Sequence, residues 1–256
     1  PPLIRSSAAS DVYKRQPYKF GLIGSTDSHS GLSSPEESNF LGKFATDSTP
    51  ETKQRLGGQL SANGWDMSAS GLAAVWAEHN TREEIFAAFK RREVCATSGS
   101  RIILQLYAGW FFPEGAETSN DFSNIGSEYG VPMGGELVAT SEAQNSISIL
   151  ISAIKDPKGA NLDRVQIVKG WIDEQSQLHE RVYDVAWSGD RETNDNGKLS
   201  PVTNTVDLKS GRYENSVGDE SFTVKGLIQT LMYRKNRFTM PEYLKSRRQG
   251  IPFSIV

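Results

Sequence analysis

In 256 residues there is one cysteine, Cys95, and only three histidines, His29, His79 and His179. A lone cysteine excludes a disulfide framework and every cysteine-based zinc site. Three histidines leave room only for a metal site that leans on carboxylates. No run approaches the roughly 18 consecutive apolar residues that a membrane-spanning helix needs. The hydrophobic share of 37%, with 23% charged residues and 23 glycines, is that of a globular chain and not of a disordered or collagen-like one. The length of 256 allows one large domain or two ordinary ones.

Charge is unevenly spread. Of the formal −3, residues 1–16 carry +2 and residues 226–256 carry +5, which leaves −10 on the 209 residues between. So acidic a body argues against nucleic acid or an anionic membrane as partner. The first 16 residues lack periodicity, and they lack the charged-then-apolar order of a secretory signal. Their run Ser6–Gln16 reads as a non-native tail, a translated adapter remnant, with a flexible natural tail as the alternative.

What is present begins at Phe20. Phe20–Ile23 is a short apolar run entering the polar loop Gly24–His29, as expected for a buried parallel strand. Residues 30–70 are rich in Ser and Gly, and a loop that long is a lid, a binding loop or disordered chain. Thr81 and Glu84 form a capping box, Ile85, Phe86 and Phe89 one apolar face, and Lys90–Arg92 a cationic C-terminal turn; together they predict a helix over 81–92 packed on the sheet that bears Asp27. Val94–Thr97 and Ile102–Tyr107 read as strands around a Ser98-Gly99 turn. Beyond residue 130, Ser146–Ile154, Asp163–Trp171 and Arg181–Trp187 alternate, separated by turn formers at Asp156–Gly159, Ser188–Asp190 and Asn194–Gly197. This predicts an antiparallel β module over 130–225.

Asp27-x-His29 is the candidate site. In extended chain, residues two apart point to one side, so carboxylate and imidazole converge, and the C-terminal end of a parallel strand is where barrel enzymes assemble active sites. Carboxylate plus imidazole suits Zn, Mn or Fe. The competing reading has Asp27 capping the next turn and His29 on the surface. His79 and His179 read as solvated, and Cys95, in an apolar strand without a nearby base, as inert. Trp65, Trp76, Trp110, Trp171 and Trp187 read as packing residues. Ser98-Gly99 reads as a plain turn or as a pair of amides open to an anion.

Several long blocks carry a resemblance: Pro17–His29, Ser68–Ala77, Asn80–Ile85, Arg91–Val94, Ala96–Gly99, Ala160–Arg164, Lys169–Trp171 and Tyr183–Arg191. Over roughly residues 17–225 the chain resembles a bacterial family catalogued as domain of unknown function 3604, related to the PHP metal-dependent hydrolases. The resemblance implies an α/β fold, the end of a distorted (β/α) barrel over 17–129, followed by the β-rich module. It implies that Asp27 and His29 match a late Asp-x-His metal-ligand motif, with a divalent metal (Zn, Mn or Fe) activating water against a small-molecule substrate such as a phosphoester. Members of that family are longer and carry an upstream His-x-His, so this chain is expected to be an inactive fragment. His79 stands where the resemblance leads one to expect Glu. The rival reading is a non-catalytic module whose β region recognises a carbohydrate or a protein, the Asp27/His29 pair being vestigial.

The resemblance stops before residue 226, where the charge changes sign and the strand spacing ends. Residues 226–256 therefore read as the product of a frame error near Lys225-Gly226, with a natural basic arm as the alternative. On the first reading the tail should pack poorly, and the last strand should lack its partner.

Overall fold

The structure, a computed structural model, describes residues 20–26, 28–29, 44, 51, 71–138, 146–172, 177–194, 198–207, 210, 212–229 and 254–255. The chain divides into two compact units, residues 21–102 with 156–159, and residues 103–155 with 160–256 and 1–20. The division falls at 102/103, upstream of the 129/130 boundary drawn from sequence, because the strands after residue 102 pair with the β-rich region.

The smaller unit is built on an antiparallel hairpin of β1 (Gly71–Val75) and β2 (Val94–Ser98), joined by helix α1 (Arg82–Arg91). The helix forms where its caps predict. Thr81 Oγ1 accepts from the Glu84 amide at 3.3 Å, and Arg92 closes the C-terminus at φ 62°, its amide donating to the Ala88 and Phe89 carbonyls. Acidic residues sit in the first turn and basic ones in the last, matching the helix dipole. The packing differs from expectation. Ala88 is the buried residue, whereas Phe86 and Phe89 stay 58% and 41% exposed, with Lys90 Nζ lying 4.7 Å from the Phe86 ring centroid. At the foot of this unit Asp156 accepts from the amides of Arg101 (2.8 Å) and Lys158 (2.9 Å), which holds its carboxyl below the usual range and forms the expected turn.

The larger unit is an antiparallel sandwich. One sheet has the order β4 (Gly130–Pro132), β3 (Ile103–Gly109), β5 (Ser146–Ile154), β8 (Ser221–Gln229). The other has β7 (Leu178–Trp187), β6 (Arg164–Ile172), β9 (Ser254–Ile255). Their facing sides share one core: Leu106 and Ala108 of β3, Ile147, Ile149 and Ile151 of β5, Val165 and Ile167 of β6, Phe222 and Ile228 of β8. Helix α2 (Phe122–Tyr129) covers the opposite side of β3 and β5, where Phe122 and Ile125 pack on Tyr107, Phe112, Ala116 and Leu150. Gly126 permits that approach, since a Cβ there would fall 2.3 Å from the Tyr107 ring.

Two expectations are overturned. Every strand pair among the described residues is antiparallel and none closes into a barrel, so the α/β barrel end predicted for 17–129 is replaced by a hairpin unit and a sandwich. The apolar pattern was compatible with both, because pairing direction is not written in periodicity. Nor do residues 20–26 form the buried parallel strand: they belong to no strand, and Ile23 is 59% exposed. At the other end, β8 runs on through Gly226–Gln229 in unbroken register with β5, Ile228 is buried, and β9 pairs with β6. The last strand therefore has its partner. Residues 1–19, most of loop 30–70 and residues 230–253 lie outside the described residues.

Thr81→Ala is expected to lower stability by about 1 kcal/mol through loss of the cap. Chemical denaturation measures it, and no change beyond error would show that another group caps α1.

Candidate functional site

His29 is exposed, its ring 5.1 Å from that of Phe44, while Asp27 lies outside the described residues. What holds this segment is backbone. The Gly24 amide donates to the Leu72 carbonyl at 3.2 Å, and a Cβ on Gly24 would lie 2.3 Å from the Thr97 carbonyl. Gly71 is equally tight against Ser25, and Thr97 Oγ1 accepts from the Leu72 amide at 2.9 Å. Glycines 24 and 71 thus let the chain before the Asp-x-His lie against β1 and β2. Thr26 Oγ1 accepts from the Ser28 amide at 3.3 Å, a local bond beside the Asp-x-His. The donor types suit a divalent metal, but the described residues hold no group of three or more His, Cys, Asp or Glu able to complete a shell.

The other residues singled out by sequence take plainer places. His79 is exposed in the bend before α1. His179 stacks on Trp171, centroids 5.2 Å apart and planes at 17°, in the β6–β7 hairpin. Trp110 donates from Nε1 to the Val138 carbonyl at 3.2 Å and packs on the core; Trp76 is half-buried, Trp187 is exposed, and Trp65 lies outside the described residues. Burial pushes the Cys95 thiol up, which fits an inert residue. Lys169, 5% exposed, has its Nζ 5.2 Å from the Trp171 ring centroid, and burial, then Arg181 across the strand pair, pull its ammonium below the ordinary value.

The charged residues of the later sequence blocks form a clasp. Arg164 donates from Nη1 to the Leu199 carbonyl and from Nη2 to that of Ser200, both at 2.9 Å, and from Nε to Asp163 Oδ2 at 3.1 Å. Arg191 donates to the Ser200 carbonyl (2.7 Å), the Asp163 carbonyl (2.8 Å) and the Ser188 carbonyl (2.9 Å), and Asp163 Oδ1 lies 2.6 Å from its Nη1. Asp184 Oδ1 lies 3.6 Å from Arg164 and accepts from Gln166 Nε2 at 2.7 Å. Two guanidiniums so engaged tie the segment 199–200 to the start of β6 and the turn after β7. They have few donors left for a ligand.

A groove of about 480 Å³ opens beside α2. Its floor includes Gln105, Ser152 and Thr223, direct register partners across β3, β5 and β8. Its wall is the segment Glu117–Asn124. In the neighbouring row Tyr107 and Leu150 are buried under α2, and Lys225 continues that row on β8. Gln105 Nε2 donates to Tyr107 Oη (3.0 Å) and Ser123 Oγ (3.1 Å), and Asn124 Nδ2 donates to Asp121 Oδ1. Glu117 Oε2 is buried and accepts no hydrogen bond among the described residues; its nearest cation, Lys225 Nζ, is 3.9 Å away and donates to the Pro113 carbonyl. The sequence reading missed this site, because its β module began at residue 130 and most of the lining comes from 105–124. The run of small polar residues Thr118–Asp121 was the available signal.

The described residues thus define an antiparallel β-rich protein with a helix-covered sandwich and a smaller hairpin unit. The model of a family described as "Protein of unknown function (DUF3604)" matches residues 6–225, and the chain belongs to that family. Nothing matches among curated proteins or solved structures.

Arg191→Ala is expected to destabilise the larger unit by about 1–2 kcal/mol, since it removes the guanidinium bonds to the Ser188, Ser200 and Asp163 carbonyls and the pairing with Asp163 Oδ1, while Arg164 still holds Asp163 Oδ2 and the Ser200 carbonyl; a melting shift no larger than that of an exposed Arg→Ala control would show the clasp to be dispensable. For Lys169, the unfolded chain binds more protons than the folded one between the lowered folded value and the ordinary 10.5, so stability rises with pH through that window. Denaturation midpoints measured from neutral pH upward should show that slope, and Lys169→Met should flatten it.

Proposed function

We propose that this chain forms part of a metal-dependent hydrolase of the phosphoesterase type, with Asp27 and His29 as two ligands of a divalent Zn, Mn or Fe ion and a small-molecule phosphoester as substrate. The reading is supported by the placing of His29: an exposed imidazole, two residues from a carboxylate, on a segment held by the Gly24–Leu72 backbone bond and the close packing of Gly71 on Ser25. Such an ion, when bound, lowers the pKa of water and polarises the scissile group. The chain's own part is to hold the two donors. Ligation needs the carboxylate ionised and the imidazole neutral, so affinity falls as the solution is acidified. With too few ligands among the described residues to complete a shell, the chain alone is expected to leave simple phosphomonoesters and phosphodiesters intact.

The test is made in a longer family member that carries the matching Asp-x-His. Replacing either position by Ala should lower metal content and phosphoesterase activity by more than roughly 100-fold, the upper end of what loss of even an outer-shell partner costs. Full activity and full metal content in either variant would overturn the assignment and favour the non-catalytic reading.

A further inference from the structure

The groove beside α2 contains neither Asp27 nor His29, and its chemistry is of another kind. Ten of its eleven lining side chains carry hydrogen-bonding groups, and Phe122 supplies the one aromatic ring. None is Lys, Arg or His, and the charged ones are Glu117 and Asp121. We propose that this groove is a binding site for a neutral carbohydrate of monosaccharide to disaccharide size, recognised through the side chains of Gln105, Glu117, Asn120, Asp121 and Asn124.

The ligand class follows from the donor and acceptor inventory. Two carboxylates without a lining cation disfavour an anionic ligand. A polyamine offers donors only and would give no acceptor to the amide and hydroxyl donors of Asn120, Ser152 and Thr223. Sugar hydroxyls both donate and accept, and so can satisfy carboxylates, amides and hydroxyls together. Ligand pockets are usually lined by apolar side chains with a few polar ones, so a lining this polar suits a ligand equally polar. The volume of about 480 Å³ lies within the range of roughly 300–1,000 Å³ for small-molecule sites.

The groove is also preorganised. Gln105 is fixed by Tyr107 and Ser123, and Asn124 is paired with Asp121, which leaves Asp121 Oδ2 and Asn124 Oδ1 for a ligand. The buried Glu117 oxygen accepts no hydrogen bond among the described residues, the Lys225 ammonium standing 3.9 Å away, and a ligand hydroxyl would supply one. An alternating polar residue on a solvated sheet face requires no such wall; here the row Gln105–Ser152–Thr223 is faced by a second polar surface, Glu117–Asn124.

Saturation-transfer NMR and calorimetry on the whole 256-residue chain test this, with maltose, cellobiose and lactose as neutral probes, a sulfated uronate disaccharide as anion and spermidine as cation. At least one neutral disaccharide should bind with a dissociation constant of about 0.1–1 mM, more tightly than either charged probe. Asp121→Ala and Asn124→Ala should each weaken it about tenfold. Both positions are exposed, and Asp121 makes no side-chain cap bond to α2, so unchanged circular dichroism is expected. No transfer from any neutral sugar at about 10 mM, tighter binding of a charged probe, or affinity unchanged from the parent chain in both variants would overturn the proposal.

Discussion

Burial of β5 on both faces is the constraint on which the larger unit rests. Ile147, Ile149 and Ile151 point into the sandwich core, and Leu150 points the other way under Phe112 and α2, all four within 1% of full burial. Each such side chain contributes roughly 1.5–3 kcal/mol by leaving water. A strand with two dry faces can slip in neither direction, because a shift of one residue would send serines 146, 148 and 152 into the core. The registers of β3 and β8 are set by that strand, and with them the row of side chains at the groove.

The clasp of Arg164 and Arg191 solves a different problem. Segment 199–207 belongs to no ladder of a sheet, and its carbonyls need partners. Guanidiniums with planar, forked donors reach the Leu199 and Ser200 carbonyls, while Asp163 and Asp184 balance their charge. Motif-like density of charged residues here has a structural cause. The hairpin unit is held in another way, by close backbone approach at Gly24 and Gly71, where any side chain would meet a neighbouring backbone.

Lys90, Lys169 and Arg181 lie over Phe86, Trp171 and Tyr183, with Lys225 against the Pro113 carbonyl and Glu117. The groove, by contrast, has only neutral and acidic groups at its lining, Glu117 and Asp121 being the charged ones and Lys225 standing behind Glu117.

Some features were determined by sequence alone, because their causes are local. Helix α1 follows from a hydroxyl and a carboxylate three residues apart and a cationic last turn. The span of β5, Ser146–Ile154, follows from its alternation, and the turn at Asp156 from a carboxylate that accepts from its own backbone two residues on. Tertiary structure decided the rest. Whether a strand pairs parallel or antiparallel depends on partners tens of residues away, and an apolar run such as Phe20–Ile23 is silent even about whether it joins a sheet. That is why the barrel expectation failed and two antiparallel sheets stand in its place. Phe86 and Phe89 share an apolar face by spacing, yet only contact with the rest of the unit could reveal that Ala88 is the residue buried. The groove is non-local in the same sense: Gln105, Ser152 and Thr223 are unremarkable polar positions until strand register sets them side by side.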